Sequence, residues 1–251
     1  MSDFPNSDDL LAHTAHRPWP LPDRPWLMTQ TWHDLLFAHW PLHPEALRSR
    51  VPASLTLDVF DGRTWIGVIP FHMTNVGPRG ASSLVGSAFP ELNVRTYVTL
   101  DDKPGVYFFS LDAASTLAVI GARTAFHLPY YRAEMAVHIG TRQVTYRSVR
   151  RSAAPAQFAA TYEPVGPVAH PRPGTLEYFL TERYCLYTTT RSGEPRRLEI
   201  HHPQWPLQTA SAQIAVNTMV TAAGMTLPAS APLLHFAKRM DVLTWGLSRT
   251  S

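Results

Sequence analysis

Hydrophobic and polar positions alternate with a period of two over much of this chain, in short runs punctuated by Gly, Pro and Asp. That spacing predicts strands joined by tight turns. Residues 26–40 read as a strand or two, and Pro44 suits a first helical position, so a short helix follows over residues 44–48. Residues 55–59 and 64–71 flank Asp61-Gly62 and predict a hairpin. A second hairpin pairs residues 89–100 with residues 106–112 across a turn containing Pro104 and Gly105. Residues 113–126 change to helical spacing, with Leu117, Ile120, Gly121 and Thr124 on one side. Residues 133–139 and 143–149 make a third hairpin around Gly140-Thr141, and residues 158–164 add a strand. Leu176, Phe179, Leu180, Arg183 and Tyr187 recur at three and four residues, which predicts a second helix over residues 174–187. Residues 198–202 return to strand, residues 205–220 to strand or a mixed pattern, and residues 233–245 close the chain. No segment repeats another.

One alternating segment carries most of the polar chemistry. In residues 89–98, Glu91, Asn93, Arg95 and Tyr97 share one face, and Leu92, Val94, Thr96 and Val98 the other. A half-exposed strand with a wet side explains this, and so does a polar wall inside a closed sheet. The neighbouring strand, Val106-Tyr107-Phe108-Phe109-Ser110-Leu111, is almost wholly apolar yet ends in Asp112. A buried Asp112 requires a partner such as Arg95 or Arg123, so a pinning salt bridge competes with a catalytic role.

Composition narrows the function classes. The 251 residues are 45% hydrophobic and 16% charged, against a usual charged share of roughly 25%. Length and composition fit one domain over residues 26–251, preceded by a flexible, proline-rich tail over residues 1–25. The net charge of +3 is spread thinly, and no cluster of five to eight basic residues occurs, so nucleic acid and membrane surface are not expected partners. Only Lys103 and Lys238 are lysines. Cys185 is the single cysteine, which removes disulfides and multi-cysteine metal sites and suits a reducing, cytoplasmic setting. The histidines lack metalloprotease-type spacing, and adjacent His201 and His202 face opposite sides of a strand, so no metal is expected. Ser83 and Ser87 lack a nucleophile elbow, and Cys185, on the predicted helix, reads as packing.

Several longer motifs are shared with a known family. Phe37-Ala38-His39-Trp40, residues 89–98, residues 105–113, Leu128-Pro129-Tyr130-Tyr131, residues 179–184 and residues 202–207 resemble the YqjF-like family, domain-of-unknown-function group 2071, over about residues 26–245. That bacterial family has no settled activity and is similar to the acetoacetate decarboxylase superfamily. Phe89-Pro90-Glu91 resembles the decarboxylases' aromatic-x-Glu segment, and residues 121–131 resemble their Gly-Arg-Glu and Gly-aromatic-Pro-Lys-Lys segments. The resemblance implies an α+β fold: a mostly antiparallel, closed or cone-like β-barrel with flanking helices and a central cavity.

The departure from that pattern bears on chemistry. In the decarboxylases the residue after the Pro is a lysine that forms a Schiff base, and the next lysine lowers its pKa. Tyr130 and Tyr131 stand in both places, and a phenol forms no imine. The expected pocket is therefore cofactor-free and takes a small molecule, an oxo acid or an aromatic compound. Its expected catalytic groups are Glu91, Arg95, Arg123 and Tyr130, with Asn93, Tyr97, Asp112 and Tyr131 as ligand contacts. Arginines hold a carboxylate, a buried Glu91 moves a proton, and Tyr130 donates to an enolate. Two competing readings remain: a binding protein without turnover, and a scaffold fixed by an ion network of Glu91, Arg95, Asp112 and Arg123. The sequence leaves a homo-oligomer open.

Overall fold

The computed structural model describes residues 5–80, 88–115, 126–151 and 154–250. Seven long strands close into a ring in the order β1 (Met28–Leu42), β3 (Thr64–Pro78), β4 (Phe89–Leu100), β5 (Lys103–Ala113), β10 (Cys185–Thr189), β11 (Pro195–His201) and β13 (Leu233–Arg249). Pairing of β13 back onto β1, from Met28↔Thr244 to His39↔Leu233, closes the ring. The ring pairs are antiparallel except β5 with β10, which run parallel through Leu186↔Val106 and Tyr187↔Tyr107. Closure removes the unpaired edges that an open sheet of this size would expose.

A second antiparallel sheet extends from β13 through β12 (Gln208–Asn217), β9 (Ala156–Pro164), β8 (Val144–Arg150) and β7 (Glu134–Ile139). It packs on the outside of the barrel. Strands β1, β3 and β4 are therefore buried on both faces, which explains their near-continuous apolar sequence. In β1, Leu35 and Phe37 belong to the inner core, while Leu36, Ala38 and Trp40 join Tyr146, Phe158 and Tyr162 in the outer one. An irregularity between His33 and Ala38, with Asp34 at φ 52°, interrupts the β1–β3 register. The Tyr162 hydroxyl donates to the Asp34 carbonyl at 2.8 Å, tying the second sheet to that bulge.

The helices among the described residues are short: α1 (Ser7–Ala12), α2 (Pro44–Arg48), α3 (Leu176–Thr181) and α4 (Met219–Ala222). Thr175 caps α3, its hydroxyl accepting from Tyr178 N at 3.3 Å. Phe179 of α3 packs on Tyr97 with ring centroids 5.3 Å apart, so this helix plugs one end of the barrel. Among the described residues no helix is long and apolar enough to cross a membrane.

Several local expectations need correction. The helix predicted over residues 174–187 ends at Thr181, and Cys185 and Tyr187 lie on β10, where parallel pairing overrides the helical spacing. β2 (Thr56–Leu57) pairs with β4 rather than β3, leaving only a Phe60↔Arg63 bridge at the Asp61-Gly62 turn. Most of the helix predicted over residues 113–126 lies outside the described residues, and Ala113 ends β5. Residues 5–25 are docked rather than a flexible tail: Leu10 packs on Leu243 and Trp245, and the buried Arg17 pairs with Glu199 at 3.4 Å. A proline-rich segment gains order here because its few large side chains find slots on β11 and β13.

Candidate functional site

A cavity of about 480 Å3 occupies the barrel interior. Most of its wall is apolar and aromatic, including Trp32, Phe71, Phe89, Phe108, Leu111 and Trp205. The polar wall is β4: Glu91, Asn93 and Arg95 all face the cavity, while Leu92 and Val94 pack outward beneath the second sheet. The alternation in residues 89–98 thus marks an inward polar face. Gln30, Tyr130, Thr181, Arg183, His202 and Thr244 add to the polar lining.

Glu91 is 3% exposed, and burial pushes its carboxyl up to about 8. The Tyr130 hydroxyl donates to Glu91 Oε2 at 2.8 Å and opposes that rise, while the Asp112 charge adds to it. Near neutral pH this carboxyl holds its proton. Tyr130 arrives on β6 (Tyr130–Arg132), which adds in parallel to β5 through Leu111↔Tyr130 and Asp112↔Tyr131. Tyr146 of β8 fixes the other side of the site, its hydroxyl donating to the Glu91 carbonyl at 2.7 Å.

Arg95 is the unusual charge. It is 8% exposed, and its hydrogen bonds run from Nη2 to the Leu180 carbonyl at 3.1 Å and from Nε to the Tyr97 hydroxyl at 3.3 Å. Among the described residues no carboxylate lies within salt-bridge distance of it. The other cavity arginine, Arg183, is by contrast paired with Asp58. Near Arg95 in sequence and in the same cavity, Asn93 Oδ1 is buried without a partner, as is Trp205 Nε1 across the barrel. Burial lowers His202 to about 3, so it lines the cavity as a neutral imidazole between the Pro203 and Arg183 carbonyls.

Three of the predicted site residues occupy other places. Asp112 is fully buried on the outward face of β5, where its Oδ2 lies 3.2 Å from Arg150 Nε. That partner is not Arg95, and Asp112 does not line the cavity; burial lifts its carboxyl to about 6 against the pull of Arg150. Tyr97 stands behind Arg95, bonded to Arg95 and lying 2.6 Å from His39 Nε2, and is not in the cavity wall. Tyr131 points out of the barrel, since neighbours on a strand face opposite ways, and covers the Arg150 guanidinium at 4.2 Å. Arg123 lies outside the described residues. Glu91, Arg95 and Asp112 do not pair with one another, so those three form no ion network.

Sequence reasoning missed Arg183, His202 and Trp205 as cavity residues. The rule that His201 and His202 face opposite sides held a usable signal: His201 faces the docked N-terminal segment, contacting the Leu10 carbonyl at 2.8 Å. Neither lysine is in the cavity. Lys103 lies over Trp19 at 5.6 Å, and Lys238 is paired with Asp34. No cluster of three or more metal-binding side chains occurs among the described residues.

The fold is shared with solved enzymes at low identity. Acetoacetate decarboxylase from Legionella pneumophila superposes with a TM-score of 0.61 at 13% identity, covering 100% of this chain and 97% of that one. The enduracididine biosynthesis enzyme MppR, complexed with pyruvate, gives a TM-score of 0.61 at 8% identity, covering 93% of both chains. In sequence, the uncharacterized protein YqjF of Bacillus subtilis (strain 168) is 50% identical over 232 residues, 92% of this chain and 96% of the relative. The profile of DUF2071, described as an uncharacterized conserved protein, matches residues 29–241. With half of the 232 aligned residues identical to YqjF, a family profile matching residues 29–241 and an acetoacetate decarboxylase-like barrel, the chain belongs to the DUF2071 family.

Proposed function

We propose that the barrel cavity binds a small carbonyl or carboxylate compound and moves a proton on it without a Schiff base or a cofactor. The observation that carries this reading is one strand face presenting both an Arg95 without a counter-ion and a Glu91 that keeps its proton to about pH 8. A buried guanidinium with no carboxylate partner is costly unless an anion completes it. Asn93 Oδ1 and Trp205 Nε1 are two further buried groups with unmet hydrogen bonds. MppR has been solved with pyruvate, a small oxo acid, on the same fold.

In this reading Arg95 holds the ligand carboxylate by charge-assisted hydrogen bonds. The ionised form of Glu91 takes a proton from the carbon next to the carbonyl. The C–H electron pair becomes the enolate double bond, and the Tyr130 hydroxyl turns from Glu91 to the enolate oxygen. The proton then returns to the carbon. A second reading, binding without turnover, draws on the largely aromatic wall around so few polar groups.

The test is hydrogen–deuterium exchange at the carbon next to the carbonyl of small oxo acids in heavy water, followed by NMR. Protein-dependent exchange that vanishes in Glu91→Gln, with ligand binding retained, supports catalysis. Binding without exchange in either form leaves the second reading.

A further inference from the structure

Outside the barrel, a groove of about 500 Å3 opens where the second sheet leaves β5 and β10 uncovered. Its wall is more polar than that of the inner cavity. The floor carries Ser110 and Arg150, each 2% exposed. Ser110 Oγ and Arg150 Nη2 are both buried without a hydrogen-bond partner. Arg150 turns its Nε toward Asp112, which lies behind it and is not part of the groove, so the remaining edge of the guanidinium is unmatched. The exposed Arg50 stands at the rim, its guanidinium seated against Gly224 so closely that a Cβ there would lie 2.7 Å from Nη1.

Among the described residues no Asp or Glu lines this groove. Two guanidinium groups against the single carboxylate of Asp112 leave an excess positive charge, and a buried hydroxyl with no partner lines the same groove. Such a set of donors matches an oxyanion better than a neutral or cationic group. We infer that the groove is a second ligand site, taking the carboxylate or phosphate group of a small molecule on Arg150, Ser110 and Arg50. The site is distinct from the barrel cavity: β6 presents Tyr130 to the cavity and Tyr131 to the groove, and only Phe108 and Leu128 line both.

Isothermal titration of the full chain with inorganic phosphate and, separately, with acetate tests this and tells the two oxyanions apart. Arg95→Met is included throughout to silence the inner cavity. At least one of the two anions binds in the Arg95→Met background, and adding Arg50→Gln or Ser110→Ala weakens it roughly tenfold, as expected for loss of one hydrogen bond to a charged group. Both substitutions are conservative, which avoids emptying the buried Arg150 position. Absence of binding by both anions, or binding indifferent to both groove substitutions, overturns the inference. So does binding that Arg95→Met abolishes, since the inner cavity would then account for it.

Discussion

The Tyr130 hydroxyl donates to Glu91 Oε2 at 2.8 Å, across a site where no arginine among the described residues pairs with that carboxyl. A cation there would hold the carboxyl ionised; a phenol leaves burial to dominate, and Glu91 rises to about 8.

Glu91 should therefore make folding pH-dependent. Its folded value of about 8 lies above the ordinary 4.5, so between these values the native chain binds a proton that the unfolded chain has lost. Stability from this group falls as pH rises through that window. Glu91→Gln removes the loss, so its melting temperature relative to the parent increases from about pH 5 to about pH 8. A constant difference across that range would show that Glu91 ionises normally.

The same value sets the pH profile of exchange chemistry. The carboxylate is the base, so protein-dependent exchange at the ligand carbon rises with pH and levels off above about 8. Initial rates measured by NMR across that range check this, and a profile that falls with pH would assign the group the opposite role.

The outward pair behaves differently from the inward residues. Arg150→Met strands the buried Asp112, which costs on the order of 3 kcal/mol. Denaturant unfolding gives that loss. Inner-cavity ligand affinity remains within about twofold, because Arg150 belongs to another layer.

The ring contains one narrow parallel junction. A Cβ at Gly105 would lie 2.7 Å from Cys185 Sγ and 2.8 Å from the Cys185 carbonyl, where β5 meets β10. Backbone on one side leaves little room to yield, so Gly105→Ala destabilises by about 2 kcal/mol or more. Chemical denaturation of the variant measures this.

What could be read from the sequence was governed by range. The alternation of Glu91, Asn93 and Arg95 against Leu92 and Val94 is local, and it marked a polar face on β4 while leaving open whether that face met water or the barrel interior. The β4–β5 and β7–β8 hairpins were legible for the same reason, since their turns are short, but the first turn is Asp101-Asp102, both at positive φ, and Pro104 and Gly105 pair within β5 instead of forming it. Closure through β1 and β13 joins residues about two hundred positions apart, and no local pattern encodes it. Asp112 was recognised as needing a cation, but Arg150 reaches it only because the second sheet folds over the barrel. Cys185 and Tyr187 carried helical spacing, and parallel pairing with β5 outweighed it. The docked N-terminal segment was missed because its anchors, Leu10 and Arg17, are single residues in a proline-rich run.

The most direct test of the account is a thermal-shift screen with small oxo acids, hydroxy acids and neutral aromatics, run in parallel on the parent protein and Arg95→Met. The account predicts that carboxylates raise the parent's melting temperature, and that the variant folds with similar stability but loses the response. No shift with any compound, together with a severely destabilised variant, would contradict it and make Arg95 a structural element of the barrel.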